Sequence, residues 1–189
     1  MTIQKEKEVL RLRPQLFALW VGMCSIVMMF GAFTSAYMVK HAAGNWLEFP
    51  IPSVFYVSTA LIVASSITLH LAYIGYKRQH KLMYQGLLVA TMLLGIGFVA
   101  SQYAGWQALF AMGVDMKANV SGSFFYLITG THAVHVLAGV ACLVVALLHA
   151  FTLKFEYTDR RKNRFELVVH YWHFVGILWI YLLYFLLNN

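Results

Sequence analysis

The sequence predicts an all-α integral membrane protein whose five transmembrane helices form one bundle, with the N-terminus in the cytoplasm and the C-terminus in the periplasm. Hydrophobic residues make up 61% of the 189 residues, and charged residues only 11%. A soluble domain of this length cannot bury that much apolar surface. The apolar residues also fall into five long runs, and the basic residues are concentrated in alternate loops. These three features together define the fold class.

Each apolar run is long enough to supply the roughly 20 residues that a helix needs to cross the hydrocarbon core. The predicted spans cover approximately residues 15–39, 53–76, 82–107, 122–152 and 166–187. We expect residues 1–14 to form a cytoplasmic tail and residues 15–189 to form a single five-helix membrane domain. The first run is too long for the apolar segment of a cleaved signal peptide, so we expect it to be kept as a span.

Turn and capping residues separate the spans. Pro50 and Pro52 mark a turn before the second span, where Ser53 is a suitable N-cap, and Ser121 opens the fourth span in the same way. Cys24 and Cys142 lie in the middle of different spans. We interpret both as small buried hydrophobic residues and not as a disulfide.

The distribution of positive charge predicts the orientation. Of the 14 Lys and Arg residues, all fall in the N-terminal tail, the second loop and the fourth loop except Lys40 and Lys117. Loops rich in Lys and Arg are retained on the cytoplasmic side. We therefore expect no nucleic-acid partner for the net charge of +7. Anionic phospholipid headgroups are the expected ligands, with simple solvation as the alternative. The candidate residues are Arg13, Arg160, Arg161, Lys162 and Arg164.

Small residues predict where the helices approach one another, because lipid offers no hydrophobic drive and close backbone packing must supply the attraction. Gly97, Ser101 and Gly105 recur every fourth residue on the third span. Gly130 and Gly139 form a similar but less regular face on the fourth span. We expect these five positions to lie at helix-packing faces.

Ionisable groups inside a membrane are functional candidates, and here they are almost all histidines. The spans contain no Asp or Glu except Glu166, so a carboxylate proton relay or a di-iron carboxylate site lacks its ligands. We expect no catalytic centre and no metal ligand in this chain.

Two histidine pairs remain, His132 with His135 and His170 with His173. From the span bounds, the first pair is predicted about 25 to 30 Å from the cytoplasmic end of its helix and the second about 6 to 10 Å. This difference in depth argues against a shared metal or haem. The favoured interpretation is that the imidazoles hydrogen-bond between helices and fix their register. Haem or metal ligation, and contact with lipid, another subunit or a gas path, are the alternatives.

Two stretches resemble a known family. Residues 124–139, FFYLITGTHAVHVLAG, are similar to the penultimate helix of subunit III of haem-copper oxidases, with its F-F-x-x-T-G-x-H-x-x-H-V-x-x-G pattern. Phe165 and Glu166, followed by Tyr171-Trp172-His173-Phe174-Val175 and Trp179, resemble its last helix. Weaker similarity extends to Phe30 and Tyr37, so the resemblance covers nearly the whole chain. Five spans correspond to the short bacterial form of this subunit.

The resemblance implies a non-catalytic subunit III of an aerobic terminal oxidase, a cytochrome c or quinol oxidase of the bacterial inner membrane. Such a subunit holds no haem or copper, packs against subunit I, supports stability and proton uptake, and offers oxygen a lipid-lined access route. Haem and copper are then expected in partner subunits I and II, with subunit IV and a larger respiratory supercomplex as further partners. The motif residues with implied packing and polar-contact roles are His132, His135, Glu166, Trp172 and His173.

The chain departs from the family pattern at two positions. Ile26 stands where the family often has Glu, and Gly176 stands where it has Asp. Both changes remove a carboxylate from the membrane, so roles that need one do not transfer. The alternatives are a subunit III-like accessory protein of a nitric-oxide reductase and a stand-alone membrane cytochrome that uses the histidine pairs.

Overall fold

Five apolar runs become five helices because a helix bonds its own backbone N–H and C=O groups, which lipid cannot do. The computed structural model describes residues 14–44, 46–116, 119–153 and 155–188. Its helices are α1 (Pro14–Ala42), α2 (Val54–Lys77), α3 (Lys81–Ala111), α4 (Val120–Thr152) and α5 (Asp159–Asn188). Each is long and apolar enough to cross a membrane. The predicted all-α class with five helices able to span a membrane is confirmed. The orientation of the termini stays a prediction, and the predicted tail before Pro14 falls outside the described residues.

The start of α5 differs from the sequence prediction. The helix begins at Asp159, well before residue 166. Arg160, Arg161, Lys162 and Arg164 therefore lie in its first two turns and not in a loop. Their charge lowers the local hydropathy, so the hydropathy pattern does not show that the helix continues beyond the hydrocarbon core. Asp159 places a carboxylate in the first turn, where the helix dipole favours negative charge.

The helix caps also differ in detail from the prediction. Ser53 precedes α2 but its side chain makes no capping hydrogen bond. Before α4 the cap is Asn119, whose Oδ1 accepts hydrogen bonds from the Ser121 backbone N–H at 2.9 Å and from its hydroxyl at 3.0 Å. Asn119 is thus the N-cap of α4, and Asn is among the residues most strongly preferred at that position.

Helices α2 to α5 form a ring of four. In the described residues each contacts its sequence neighbour, and α2 closes the ring against α5. Helix α1 lies outside the ring and contacts only α4 and α5 there. Only 11% of the most apolar part of α1 is buried, against 44% of that of α5. The centre of the protein therefore lies around α5, and α1 presents most of its surface outward.

Alternation of the helices gives the bundle two ends. The start of α1, the α2–α3 connection and the α4–α5 connection lie together, as the 2.6 Å bond from Gln85 Nε2 to the Ala150 carbonyl shows for α3 and α4. We call this the basic end because Lys77, Arg78, Lys81 and the cations of early α5 lie there. At the opposite end, Tyr37 of α1 packs on Phe185 of α5, with ring centroids 5.1 Å apart.

Glycines set the closest helix approaches. A Cβ atom added at Gly105 would lie 2.6 Å from the Phe55 ring. A Cβ atom added at Gly95 or at Gly139 would lie 3.0 Å from the Trp172 indole, and the two glycines contact opposite sides of it. Trp172 of α5 is thus held between glycines of α3 and α4.

The predicted packing stripe is correct only in part. Gly105 and Gly139 are close-approach positions, whereas a Cβ at Gly97 would make an ordinary 3.6 Å contact with Leu61. Ser101 donates its hydroxyl to the Phe98 carbonyl of its own helix at 2.7 Å. A Cβ at Gly130 would meet no atom within 4 Å, so Gly130 makes no close approach to another helix among the described residues. The two cysteines form no disulfide, as predicted, but the prediction that they are buried is wrong, because both lie exposed on the helices.

Gly105 and Gly130 offer a matched test of helix packing. We expect Gly105→Ala to lower the free energy of unfolding by about 1–3 kcal/mol, because the new methyl group overlaps the Phe55 ring. Gly130→Ala makes the same chemical change in open space and should be neutral or stabilising by up to about 1 kcal/mol. Thermal unfolding in mild detergent measures both, and equal effects would contradict the packing described here.

Candidate functional site

Two buried tryptophans of α5 bind α2. The Trp172 Nε1–H donates to Ser65 Oγ at 3.0 Å, and the Trp179 Nε1–H donates to Thr59 Oγ1 at 3.0 Å. Both indoles are fully buried. A buried indole needs an acceptor for its N–H, and in lipid the only acceptors are on neighbouring helices. The two bonds therefore fix α5 against α2 in both rotation and depth.

His132 makes the equivalent link between α4 and α5. Its imidazole is fully buried, and its Nε2 lies 3.0 Å from the Val175 carbonyl oxygen. A carbonyl only accepts hydrogen bonds, so Nε2 carries the proton and Nδ1 is an acceptor. That Nδ1 has no partner within the described residues. The rings of Trp179 and Phe98 enclose the imidazole at centroid distances of 5.1 and 6.0 Å.

The predicted difference in depth between the histidine pairs is wrong. His132 lies level with Val175, and the Tyr171 hydroxyl donates to the His135 carbonyl at 3.0 Å, so both pairs lie at nearly the same depth. About half of the error, roughly 10 Å, comes from the bounds of α5. Because α5 starts at Asp159, its histidines lie far along the helix instead of near its beginning.

Direction, and not depth, separates the histidines. His135 Nδ1 donates to the Thr131 carbonyl at 2.8 Å, and His170 Nδ1 donates to the Glu166 carbonyl at 2.7 Å, each within its own helix. His173 is half-buried and faces His70 of α2, with ring centroids 5.8 Å apart.

A bis-imidazole haem site requires two ring nitrogens that face one iron, and His132 instead directs Nε2 at a carbonyl. No group of three or more His, Cys, Asp or Glu side chains is placed to hold a metal among the residues that the structure describes. The donor set within this part of the chain fits interhelical hydrogen bonding better than metal or haem ligation.

Hydroxyl and amide groups extend the same pattern to the other helix pairs. Gln102 Nε2 donates to Ser58 Oγ at 2.9 Å between α3 and α2. The Trp106 Nε1–H donates to Thr129 Oγ1 at 3.1 Å between α3 and α4. A hydroxyl pair 2.8 Å apart joins Thr68 to Thr91. Sequence reasoning did not identify Ser58, Thr59, Thr68, Thr91 or Gln102 as interior contacts. Ser58 and Ser65 are seven residues apart on α2, a spacing of two turns on one face that could have indicated them.

The basic candidates separate into two groups. Arg161 and Arg164 line a cleft at the basic end, between α4 and α5. Arg160 and Lys162, on the same two turns, do not line it. Arg13 lies outside the described residues.

Variants of His132 and His135 test whether a hydrogen bond between helices contributes more to the free energy of unfolding than one within a helix. We expect His132→Leu to lower the free energy of unfolding by about 1–2 kcal/mol, because it removes the interhelical bond to Val175 and leaves that carbonyl only its backbone bond within α5. His135→Leu removes a bond within α4 alone and should cost clearly less. Denaturation of the two variants in the same detergent measures the difference. A His135→Leu effect as large as that of His132→Leu would refute this assignment.

Comparison with known proteins identifies the family. A family model described as cytochrome c oxidase subunit III matches residues 15–188, which span all five helices. Cytochrome c oxidase subunit 3 of Mus musculus is 33% identical over 141 residues, covering 73% of this chain and 49% of the mouse protein. The probable cytochrome c oxidase subunit 3 of Nocardia farcinica is 30% identical over 170 residues, covering 85% of this chain and 80% of that protein.

A third relative, cytochrome c oxidase subunit 3 of Corynebacterium diphtheriae, is 31% identical over 162 residues, covering 82% of this chain and 78% of its own length. The chain thus spans about half the length of the mouse relative and about four fifths of the two bacterial ones. The family that the two histidine stretches predicted is confirmed. This five-helix, multi-pass membrane protein belongs to the cytochrome c oxidase subunit III family.

Proposed function

We propose that this chain is a non-catalytic subunit of an aerobic respiratory haem-copper oxidase in the bacterial inner membrane. In this role it packs against the subunit that holds haem and copper, and its basic end faces the cytoplasm. The observation that carries the proposal is the family match, which runs through all five helices without interruption. The chemistry of the interior and the nature of the outer surface both support it.

The interior is occupied by structural contacts. The buried side chains of Trp172, Trp179 and His132 donate hydrogen bonds that hold α5 against α2 and α4. A chain that contributed a redox centre would direct imidazole nitrogens at a common point, as haem and copper require. This arrangement instead favours a rigid support for a catalytic partner, which supplies the haem and copper chemistry from its own residues.

The outer surface is the place for partner contacts. On α1, Met28, Val39 and Phe17 are 77%, 67% and 61% exposed and belong to a helix that touches the ring on one side only. An apolar helix surface of this extent suits both lipid and the helices of another subunit. The proposal assigns contact with the haem-copper subunit, a lipid-lined route for oxygen and support of proton uptake to this surface.

Support of proton uptake must act through the partner, because two membrane carboxylates of the family are missing here. Ile26 is partly buried and packs on the core. At Gly176, an added Cβ would lie 3.3 Å from Ser66 Oγ, so α2 and α5 approach closely where the family has Asp. The chain uses that position for packing, and no proton-loading role is proposed for it.

A stand-alone bis-histidine cytochrome is the alternative that the histidine pairs raise. The two pairs lie at one depth, which favours it, but His132 faces the Val175 carbonyl and His173 faces α2. An accessory subunit of a nitric-oxide reductase differs from the proposed function only in its partner, so the identity of the partner separates them.

Gentle purification tests the proposal. The tagged chain, extracted from membranes in mild detergent, should co-purify with a haem-copper subunit that reduces oxygen, as mass spectrometry and the visible spectrum of the complex will show. After the subunits are separated, this chain should be colourless. A chain that remains monomeric, or one that keeps a Soret band lost in His135→Ala and His173→Ala, would overturn the proposal. A partner that reduces nitric oxide would assign the alternative complex.

A further inference from the structure

We propose that the groove between α2 and α5 binds a quinone. In this site His70 and His173 hold the quinone ring by hydrogen bonds, and the tail lies along the apolar part of the groove. The groove lies on the outer surface of the bundle, within the membrane-spanning part of both helices. The inference concerns binding only and does not depend on the proposed function.

Two imidazoles from different helices meet in this groove. His70 of α2 and His173 of α5 have ring centroids 5.8 Å apart, and both side chains line the groove. Neither makes a hydrogen bond to another of the described residues, whereas His132, His135 and His170 each have a carbonyl partner. A neutral imidazole offers one N–H donor and one acceptor nitrogen. The pair therefore has hydrogen-bonding capacity to offer a ligand.

The pair lies within the hydrocarbon region. His70 lies seven residues before Lys77, the last residue of α2, which corresponds to about 10 Å along the helix. Cationic side chains at helix ends meet the headgroup layer, so the imidazoles lie below that layer. An unpaired N–H at this depth costs free energy, because lipid tails offer it no partner. A ligand that reaches the pair must dissolve in the bilayer and bring a hydrogen-bonding group with it.

The rest of the groove is apolar and uncharged. Its lining includes Val63, Ser66 and Ile67 on α2 and Gly176, Ile177 and Ile180 on α5. None of the described residues that line it is Asp, Glu, Lys or Arg. It holds about 820 Å³ of empty space, part of it open to the surroundings, and small-molecule sites occupy about 300–1,000 Å³. The groove therefore suits a neutral ligand with an apolar tail better than a charged headgroup.

The apolar lining continues from the histidines toward the opposite end of the bundle. Ile62 is eight residues from His70, or about 12 Å, and Ile180 is seven residues from His173, or about 10 Å. Ile177 is exposed, so the groove is open to lipid along this length. A tail can thus lie in the groove while the ring stays at the imidazoles.

The spacing of the two imidazoles fits one carbonyl oxygen between them. An oxygen about 2.9 Å from a ring nitrogen lies about 4 Å from the centroid of that ring. Two centroids 5.8 Å apart can both lie at that distance from one oxygen. A quinone carries such an oxygen on a neutral ring, and its reduced form carries a hydroxyl that can donate to an imidazole nitrogen. The ester carbonyl of a phospholipid stays close to its headgroup and therefore above the pair.

Photolabelling of the complex as purified from membranes locates the site. We expect an azido-quinone to label residues 62–71 of α2 or residues 173–180 of α5, and excess decylubiquinone to prevent this labelling. Added phosphatidylglycerol should not prevent it, because the described lining includes no Lys or Arg. Mass spectrometry of the labelled peptides gives the positions. Labelling confined to other segments, or displacement by phosphatidylglycerol, would overturn the proposal.

Histidine variants test the hydrogen bonds. His70→Leu and His173→Leu should each weaken decylubiquinone binding about fivefold, because each removes one hydrogen bond to the ligand. His70→Gln keeps an N–H donor and should bind more tightly than His70→Leu. The control, His170→Leu, removes a histidine of the same helix that bonds within α5 and contacts Trp20 of α1, and it should bind normally.

Competition with the azido-quinone gives these affinities, and elution volume with subunit composition shows whether each variant assembles. Equal weakening in His170→Leu would mean a general structural effect. Unchanged binding in both His70→Leu and His173→Leu would mean that the imidazoles do not contact the quinone. Either result contradicts the proposal.

Infrared spectroscopy gives a readout that a general loss of structure does not imitate. The carbonyl band of ¹³C-labelled decylubiquinone should lie at lower frequency in the complex than in lipid vesicles, and His70→Leu should move it back toward the vesicle value. A band at the vesicle value in the unaltered complex would refute the hydrogen bonds. Metal analysis of the same sample covers the other ligand that two imidazoles suit. One zinc or copper ion per chain, lost in His70→Leu and His173→Leu, would show that the pair holds a metal and not a quinone.

Discussion

Trp172 joins the whole ring of helices through one side chain. It stands on α5, donates its indole N–H to Ser65 of α2, and packs between Gly95 of α3 and Gly139 of α4. In lipid, apolar surface gives helices no reason to associate, so close packing and hydrogen bonds must supply the attraction. Trp172 provides both at one point. Trp179 and His132 repeat the arrangement one to two turns away, and α1 then attaches to the outside of a ring that is already closed.

The sequence was sufficient for the number of helices and for the family, because both depend on long patterns. A twenty-residue apolar run is recognised as a span even when its predicted bounds are wrong by several residues. The two motifs around His132 and His173 are long enough to be specific. Local bounds were less predictable. The charges of Arg160 and Arg164 made the first two turns of α5 look like a loop, and this error accounts for about half of the mistaken difference in depth between the histidine pairs.

Interior contacts were the hardest part of the site to predict. Small residues mark a helix that can be approached closely, but they do not say whether another helix does so. Gly105 and Gly130 look alike in sequence, and only the position of Phe55 distinguishes them. Similarly, the acceptors of the two indoles, Ser65 and Thr59, are ordinary hydroxyl residues until the rotation of α2 is known. Tertiary arrangement, which no single-helix pattern contains, decided both.

The interior and the outer surface of the bundle differ in the contacts that their side chains make. The indoles of Trp172 and Trp179 and the Nε2 of His132 are engaged between helices, whereas the surface of α1 and the cleft at the basic end are exposed. At Gly176, where the resemblance implies Asp, the glycine permits α2 and α5 to approach at Ser66.

The protonation of His132 tests the account most directly. Solid-state NMR of the chain in its complex, with ¹⁵N-labelled histidine assigned through His132→Leu, reports which ring nitrogen carries the proton. Because Nε2 faces the Val175 carbonyl, the account predicts a neutral imidazole with the proton on Nε2 and none on Nδ1. An Nε2 that lacks a proton would contradict the bond to Val175 and the structural role assigned to His132, and an Nε2 with the shift of a metal ligand would show that His132 binds a metal.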